Sequence, residues 1–159
     1  MTSPVSMPAG HKMVATDFDA YENLTAVWSS FTGSVSLTNI TVGNGTFRYD
    51  YRRVGKTVDW DFFLILGSTS AIGTSPAFTL PATPNSHLTP TNFTPFPGTG
   101  MAVDDSAVVG RVLIPFWNGT GIQVDFMNAT PTFTSVNATT PWTWATSDLI
   151  HLWGTYQTS

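Results

Sequence analysis

Between Phe47 and Leu64 the chain alternates apolar and polar side chains twice in succession, and this restricts what it can become. Phe47, Tyr49 and Tyr51 interleave with Arg48, Asp50 and Arg52. After Arg53-Val54-Gly55-Lys56, Val58, Trp60, Phe62 and Leu64 interleave with Thr57, Asp59 and Asp61. A period of two is that of a strand with one buried face. A glycine between two such runs supplies the φ > 0 residue of a tight turn. The pattern predicts an antiparallel hairpin turning at Val54-Gly55, with Arg53 opposite Lys56. That register sets Tyr49 opposite Trp60, Tyr51 opposite Val58 and Phe47 opposite Phe62, so one face collects both aromatic sets. On the other face Arg48 meets Asp61 and Arg52 lies diagonal to Asp59. Each favourable cross-strand pair contributes about 0.2–1 kcal/mol. A one-residue slip would put the charges in the core, so the register is strongly specified. Beyond Leu64, Phe63 and Ile65 make the run apolar on both faces, which predicts that this end is covered on both sides.

The remaining chain reads as more strands joined by turns and Pro-rich loops. Ala26 to Phe31 and Ser34 to Leu37 flank a turn at Gly33. Ala77 to Leu80 follows the hairpin, and residues 81–100 carry Pro81, Pro84, Pro90, Pro95 and Pro97, which predicts a long surface loop. Residues 100–104 open a second β half. Val108, Val112, Ile114 and Phe116 alternate before the hairpin signal Asn118-Gly119, and Gly121 to Phe126 returns. Residues 128–141 read as another Thr-, Asn- and Pro-rich loop. In the last run, Leu149, His151 and Trp153 share one face, with Ile150, Leu152 and Tyr156 on the other. Residues 16–24 form the one helix-like stretch, with Thr16 as cap and Phe18, Tyr21 and Leu24 on one face. The fold class expected is all-β: an antiparallel, jelly-roll-like β-sandwich over residues 25–159, with residues 1–24 as an N-terminal arm containing a helical turn.

Composition narrows the function classes. Charged residues are 10% against the roughly 25% of an average soluble domain, while aromatics reach 13%, so an assembled state is expected. With only 6 Lys and Arg and a net charge of −4, the basic footprint of a nucleic-acid binder is missing. There is no cysteine for a disulfide or thiolate site. Residues 1–8 lack a basic segment followed by an apolar core, so no signal peptide is read there. No run approaches the ~20 apolar residues of a membrane-spanning helix.

The string Gly43-Asn44-Gly45-Thr46, then Tyr51-Arg52-Arg53-Val54-Gly55-Lys56-Thr57-Val58, then Leu66-Gly67-Ser68-Thr69-Ser70-Ala71-Ile72-Gly73-Thr74 and Phe78-Thr79-Leu80-Pro81 resembles a module of actinobacteriophage virion proteins, of the minor tail or capsid decoration type. The match covers roughly residues 26–81, including the Trp-containing strand Trp28-Ser29-Ser30-Phe31. The resemblance implies a β-sandwich exposed on a phage particle, commonly trimeric, and implies no catalytic site.

Asp59 and Asp61 project from one strand face, as paired glycosidase carboxylates can. Arg48 and Arg52 across the hairpin favour a surface ion-pair ladder instead. Asp104-Asp105 sits in a turn context and lacks the spaced oxygen ligands of a calcium loop. His11, His87 and His151 have no metal-ligand spacing; His151 reads as packing or an interface hydrogen bond. No G-x-S-x-G nucleophile elbow is present, and no helix follows the glycine pairs at 43–45 and 98–100, which read as turns. The N-x-S/T triplets read as products of an Asn- and Thr-rich turn composition. Phe93, Phe96, Trp117, Trp142 and Trp144 read as exposed aromatics, either stacking on sugar rings or anchoring subunits. Phe18, Tyr21 and Leu24 are the candidate attachment residues of the arm. The expected protein is a non-enzymatic phage virion structural protein at the particle surface, made in the host cytoplasm and without catalytic, cofactor or metal residues. It is a capsid decoration protein or a short head or tail appendage. Its expected partners are itself, as a homotrimer, and the major capsid or tail protein. Nucleic acid and membrane insertion are not expected. The competing reading is a receptor- or carbohydrate-binding tail tip, with a host surface glycan as partner.

Overall fold

The computed structural model describes residues 27–85, 94–95, 98–128 and 132–158. The expected helical turn, with Phe18, Tyr21 and Leu24, and the aromatics Phe93 and Phe96 lie outside the described residues. The strands are β1 (Ser29–Ser30), β2 (Leu37–Thr41), β3 (Thr46–Val54), β4 (Thr57–Ile65), β5 (Ala71–Phe78), β6 (Thr94–Pro95), β7 (Gly98–Asp104), β8 (Val109–Trp117), β9 (Ile122–Met127), β10 (Phe133–Ser135) and β11 (Leu149–Gln157). The protein is all-β and every strand pairing is antiparallel; no helix occurs among the described residues. The sheet order is β1-β3-β4-β11-β7-β8-β9-β5-β2, with β10 on β9 and β6 on β8.

The sheet curls over onto itself. In the strand order β4 and β5 are separated by β11, β7, β8 and β9. Yet the ring of Phe62 on β4 stacks on Phe78 of β5 with centroids 4.3 Å apart. Tyr49 and Trp60 approach the same ring at 5.5 and 5.7 Å. These aromatics, with Leu64, Leu113, Ile122, Ile150 and Leu152, form one buried core between the two halves. The physical cause is the alternation: a strand whose even positions are apolar must turn them toward another apolar face.

The hairpin exists, with its faces as expected and its register displaced by two residues. Val54 pairs with Thr57, so the loop is Gly55-Lys56 and not Val54-Gly55. Tyr49 therefore faces Phe62, Tyr51 faces Trp60 and Phe47 faces Leu64. Gly55 takes φ 57° as the first loop residue, the position where a type II′ hairpin turn places glycine. A shift of two preserves both faces, so alternation alone cannot distinguish the two registers. The position of Gly55 within the loop does.

Other boundaries also differ from the sequence reading. The strand expected over 34–37 is β2, starting only at Leu37. β5 begins at Ala71, six residues before the expected Ala77, although it contains Gly73, Ser75 and Pro76. Asn39 and Ser75 both adopt positive φ, and the β2–β5 register shifts between Thr38 and Ile40, so a bulge absorbs the irregularity. β6 and the start of β7 lie in the expected 81–100 loop, and β10 in the expected 128–141 loop. On β8, Leu113 is buried, while of the alternating set Val112 is 58% exposed and Val108, in the turn before the strand, is 87% exposed. β11 behaves as read: Ile150, Leu152 and Tyr156 are buried, and Leu149, His151 and Trp153 face outward.

Candidate functional site: the outer face of β3, β4 and β11

β11 enters the sheet between β4 and β7, so three strands lie side by side as β3, β4 and β11. With the apolar positions turned inward, the outward face carries Arg48, Asp50 and Arg52 from β3, Asp59, Asp61 and Phe63 from β4, and His151, Trp153 and Thr155 from β11. Across β3–β4, Arg52 faces Asp59, Asp50 faces Asp61 and Arg48 faces Phe63. Across β4–β11, Thr155 faces Asp59, Trp153 faces Asp61 and His151 faces Phe63.

The ion-pair ladder is present, its rungs moved by the register shift. Arg52 meets Asp59 directly, with Nε 2.7 Å from Oδ2, while the Thr155 hydroxyl donates to Oδ1. That hydrogen bond and the Arg52 guanidinium hold the Asp59 carboxyl below the usual carboxylate range, against a smaller opposing effect of burial. A general acid would need the opposite shift. Arg48 reaches Asp61 diagonally at 3.3 Å and Asp50 on its own strand at 3.1 Å. The second oxygen of Asp61 lies 2.9 Å from Nε2 of His151. Aromatic rings flank these charges. Trp28 covers the Arg52 guanidinium at 5.5 Å, Arg48 lies 5.9 Å from the Phe63 ring, and His151 packs between Phe63 and Trp153 at 5.5 and 4.8 Å. Trp28, Arg48, Asp50 and Asp61 line an open cleft of about 360 Å³.

The aromatics singled out from sequence are placed differently. Trp117, Trp142 and Trp144 are half-buried and pack against the core, so the expectation of exposure is corrected. Trp142 and Trp144 touch at 5.4 Å, and Nε1 of Trp144 donates to the Asn137 carbonyl at 2.8 Å. Trp28 and Trp153, by contrast, are 46% and 41% exposed. Alternation already placed Trp153 beside His151; the pairing that brings both next to Asp61 has no local signal. Asp104 accepts hydrogen bonds from the Ser106 hydroxyl and the Ala107 amide, a local turn. Among the described residues no group of three or more His, Cys, Asp or Glu could hold a metal ion. Among them, too, no helix is long and apolar enough to cross a membrane.

The glycine-rich motif residues form a clasp between two turns. The Asn44 amide donates to the Thr69 hydroxyl at 2.9 Å, and Oδ1 of Asn44 accepts from the Thr69 amide and hydroxyl at 2.9 and 3.0 Å. Nδ2 of Asn44 donates to Ser68 Oγ at 3.0 Å, and the Ser70 hydroxyl donates to the Val42 carbonyl. Gly43, at φ 55°, runs so close that a Cβ there would sit 2.4 Å from the Thr69 carbonyl oxygen. Comparison with protein-family models, with curated proteins and with solved structures finds no match.

Proposed function

We propose that the chain is a non-enzymatic structural protein displayed on the surface of a phage particle, as a capsid decoration protein or a short head or tail appendage. In this reading the curled sheet is a jelly-roll-like sandwich that assembles as a homotrimer. Residues 1–24, with Phe18, Tyr21 and Leu24, attach it to the major capsid or tail protein. The observation that carries the reading is the Asn44 clasp. Asn44, Ser68 and Thr69, among the residues on which the resemblance rests, lock the 43–46 and 67–70 turns together. They serve the fold, which fits a module used for its shape and placement and not for turnover. The low charge and the exposed Trp28 and Trp153 fit a protein that lives in an assembly.

The test is a cryo-EM map of purified particles, combined with peptide mass spectrometry of the same preparation. Threefold surface density accommodating the curled sheet is the expected result. Absence of the chain from purified particles overturns the proposal. Deleting residues 1–24 should leave a soluble oligomer in sedimentation that no longer binds the particles. A monomeric or unfolded truncated protein, or one that still decorates, refutes the assignment of the arm.

A further inference from the structure

We infer that the cleft on the outer face of β3, β4 and β11 is a binding site for a neutral oligosaccharide. Trp28 forms its stacking wall and Arg48, Asp50 and Asp61 its polar floor, and His151 and Trp153 extend the same outer face beyond Asp61. This holds whether or not the protein belongs to a particle, because it follows from the cleft alone.

The floor sets both signs of charge in contact. The Arg48 guanidinium is shared between two carboxylates at 3.1 and 3.3 Å, and His151 closes the far side of Asp61 at 2.9 Å. A charged ligand gains little from a floor that holds both signs in contact. Adjacent hydroxyls suit it well: carboxylates accept, the guanidinium donates, and both groups are planar with paired polar atoms. The indoles supply the other half of sugar recognition. Trp28 and Trp153 each leave close to half their surface in solvent, whereas Trp60 is buried and Trp117, Trp142 and Trp144 pack against the core. An exposed indole gives an apolar face to the C–H face of a pyranose. Trp28 is fixed over Arg52, and Trp153 packs against His151 and stands opposite Asp61, so neither indole needs to be ordered by the ligand. Trp28 lies on the β1 side of β3 and Trp153 on β11, three strand spacings or about 14 Å apart across the sheet, a span that suits a short oligosaccharide lying across it.

Asp50 and Asp61 are directly opposed on neighbouring strands, a like-charge pairing that is unfavourable in a sheet. Local conflicts of this kind concentrate at functional positions.

The experiment is a titration of the full chain with maltohexaose, cellohexaose, mannohexaose and a galactohexaose, read by the indole N–H resonances of the tryptophans. At least one sugar should shift the Trp28 and Trp153 signals with a Kd of about 1 mM or tighter. The Trp60, Trp142 and Trp144 signals should stay in place. Trp28→Ala and Asp61→Asn should each raise that Kd about tenfold, and added salt should leave it unchanged. Asp50→Asn, an exchange on the exposed face, should weaken binding likewise and guards against a folding defect in the other two. No shift with any of the four sugars up to about 10 mM overturns the proposal. So do shifts confined to Trp117, Trp142 or Trp144, or Kd values indifferent to all three substitutions.

Discussion

Asp50 and Asp61 stand directly opposite each other on β3 and β4, and one guanidinium, that of Arg48, bridges both. Arg48 reaches Asp61 from a diagonal position because its own cross-strand partner is Phe63. The two carboxylates therefore depend on a side chain that is 60% exposed, in a setting where ion pairs contribute about 0–1 kcal/mol.

Removing one carboxylate should relieve the repulsion. Asp50→Asn is expected to leave stability unchanged or raise it by up to about 1 kcal/mol in low salt. The gain should shrink as salt screens the pair. Chemical denaturation at two ionic strengths measures it. A loss of more than about 1 kcal/mol would mean that the Arg48–Asp50 contact outweighs the repulsion.

Two buried tyrosines should respond in opposite directions to the same substitution. The Tyr156 hydroxyl donates to the Ala82 carbonyl at 2.9 Å and accepts from the Ala82 amide at 3.1 Å. Tyr156→Phe should cost about 1–2 kcal/mol. The Tyr49 hydroxyl is buried with no hydrogen-bond partner, so Tyr49→Phe should stabilise by about 1 kcal/mol. Equilibrium unfolding of both variants decides; equal signs would refute the distinction.

Stability should fall at both ends of the pH scale. Burial pushes the Tyr156 phenol up to about 12 from its ordinary 10.0, and Tyr49 moves the same way, further. A raised folded-state pKa gives stability that is complete below about pH 10 and is lost as pH rises toward 12. Asp59 is lowered, so its contribution is present above the unfolded carboxylate pKa and is lost as pH falls through the folded value. Thr155→Val, which removes the largest cause of that shift, should weaken the acid limb and leave the alkaline limb unchanged. A pH series of thermal unfolding curves tests both limbs.

Gly43→Ala should cost at least about 2 kcal/mol. It combines a residue at φ 55° with a Cβ driven to 2.4 Å from a backbone oxygen of the facing turn. The same substitution at Gly55, also at positive φ but with nothing near its Cβ, should cost less, about 1 kcal/mol. Similar losses at both positions would show that the clasp adds nothing beyond backbone conformation.

Closure of the sheet rests on Phe78, whose ring meets Tyr49, Trp60 and Phe62 from the far half. Phe78→Ala should cost about 3–5 kcal/mol. A loss below about 1 kcal/mol in equilibrium unfolding would mean that the two halves do not share a core.

The sequence by itself determined which side chains of β3, β4 and β11 face inward, because alternation is a property of neighbouring residues along one strand. Tyr49, Trp60, Phe62, Ile150 and Leu152 were legible in that way, and so were the outward Asp59, Asp61 and His151. It also located turns near Gly55 and at Asn118-Gly119, which carry their own backbone preferences, but not the two loop residues at the first of them. Tertiary structure showed which register within the period of two is used, the one with Gly55 first in the loop, and this moved Asp61 from Arg48 to Asp50. It also recruited the irregular 71–76 segment as strand, because pairing with β2 outweighs the poor strand propensity of Gly73 and Pro76. The cleft needed both kinds of information. Its polar floor is written in two alternating runs, but His151 and Trp153 lie about ninety residues from Asp61 in the chain and reach it only because β11 inserts beside β4. Local pattern fixes which face a side chain occupies. Which strand lies next to it depends on how the whole apolar surface closes, and no single segment encodes that.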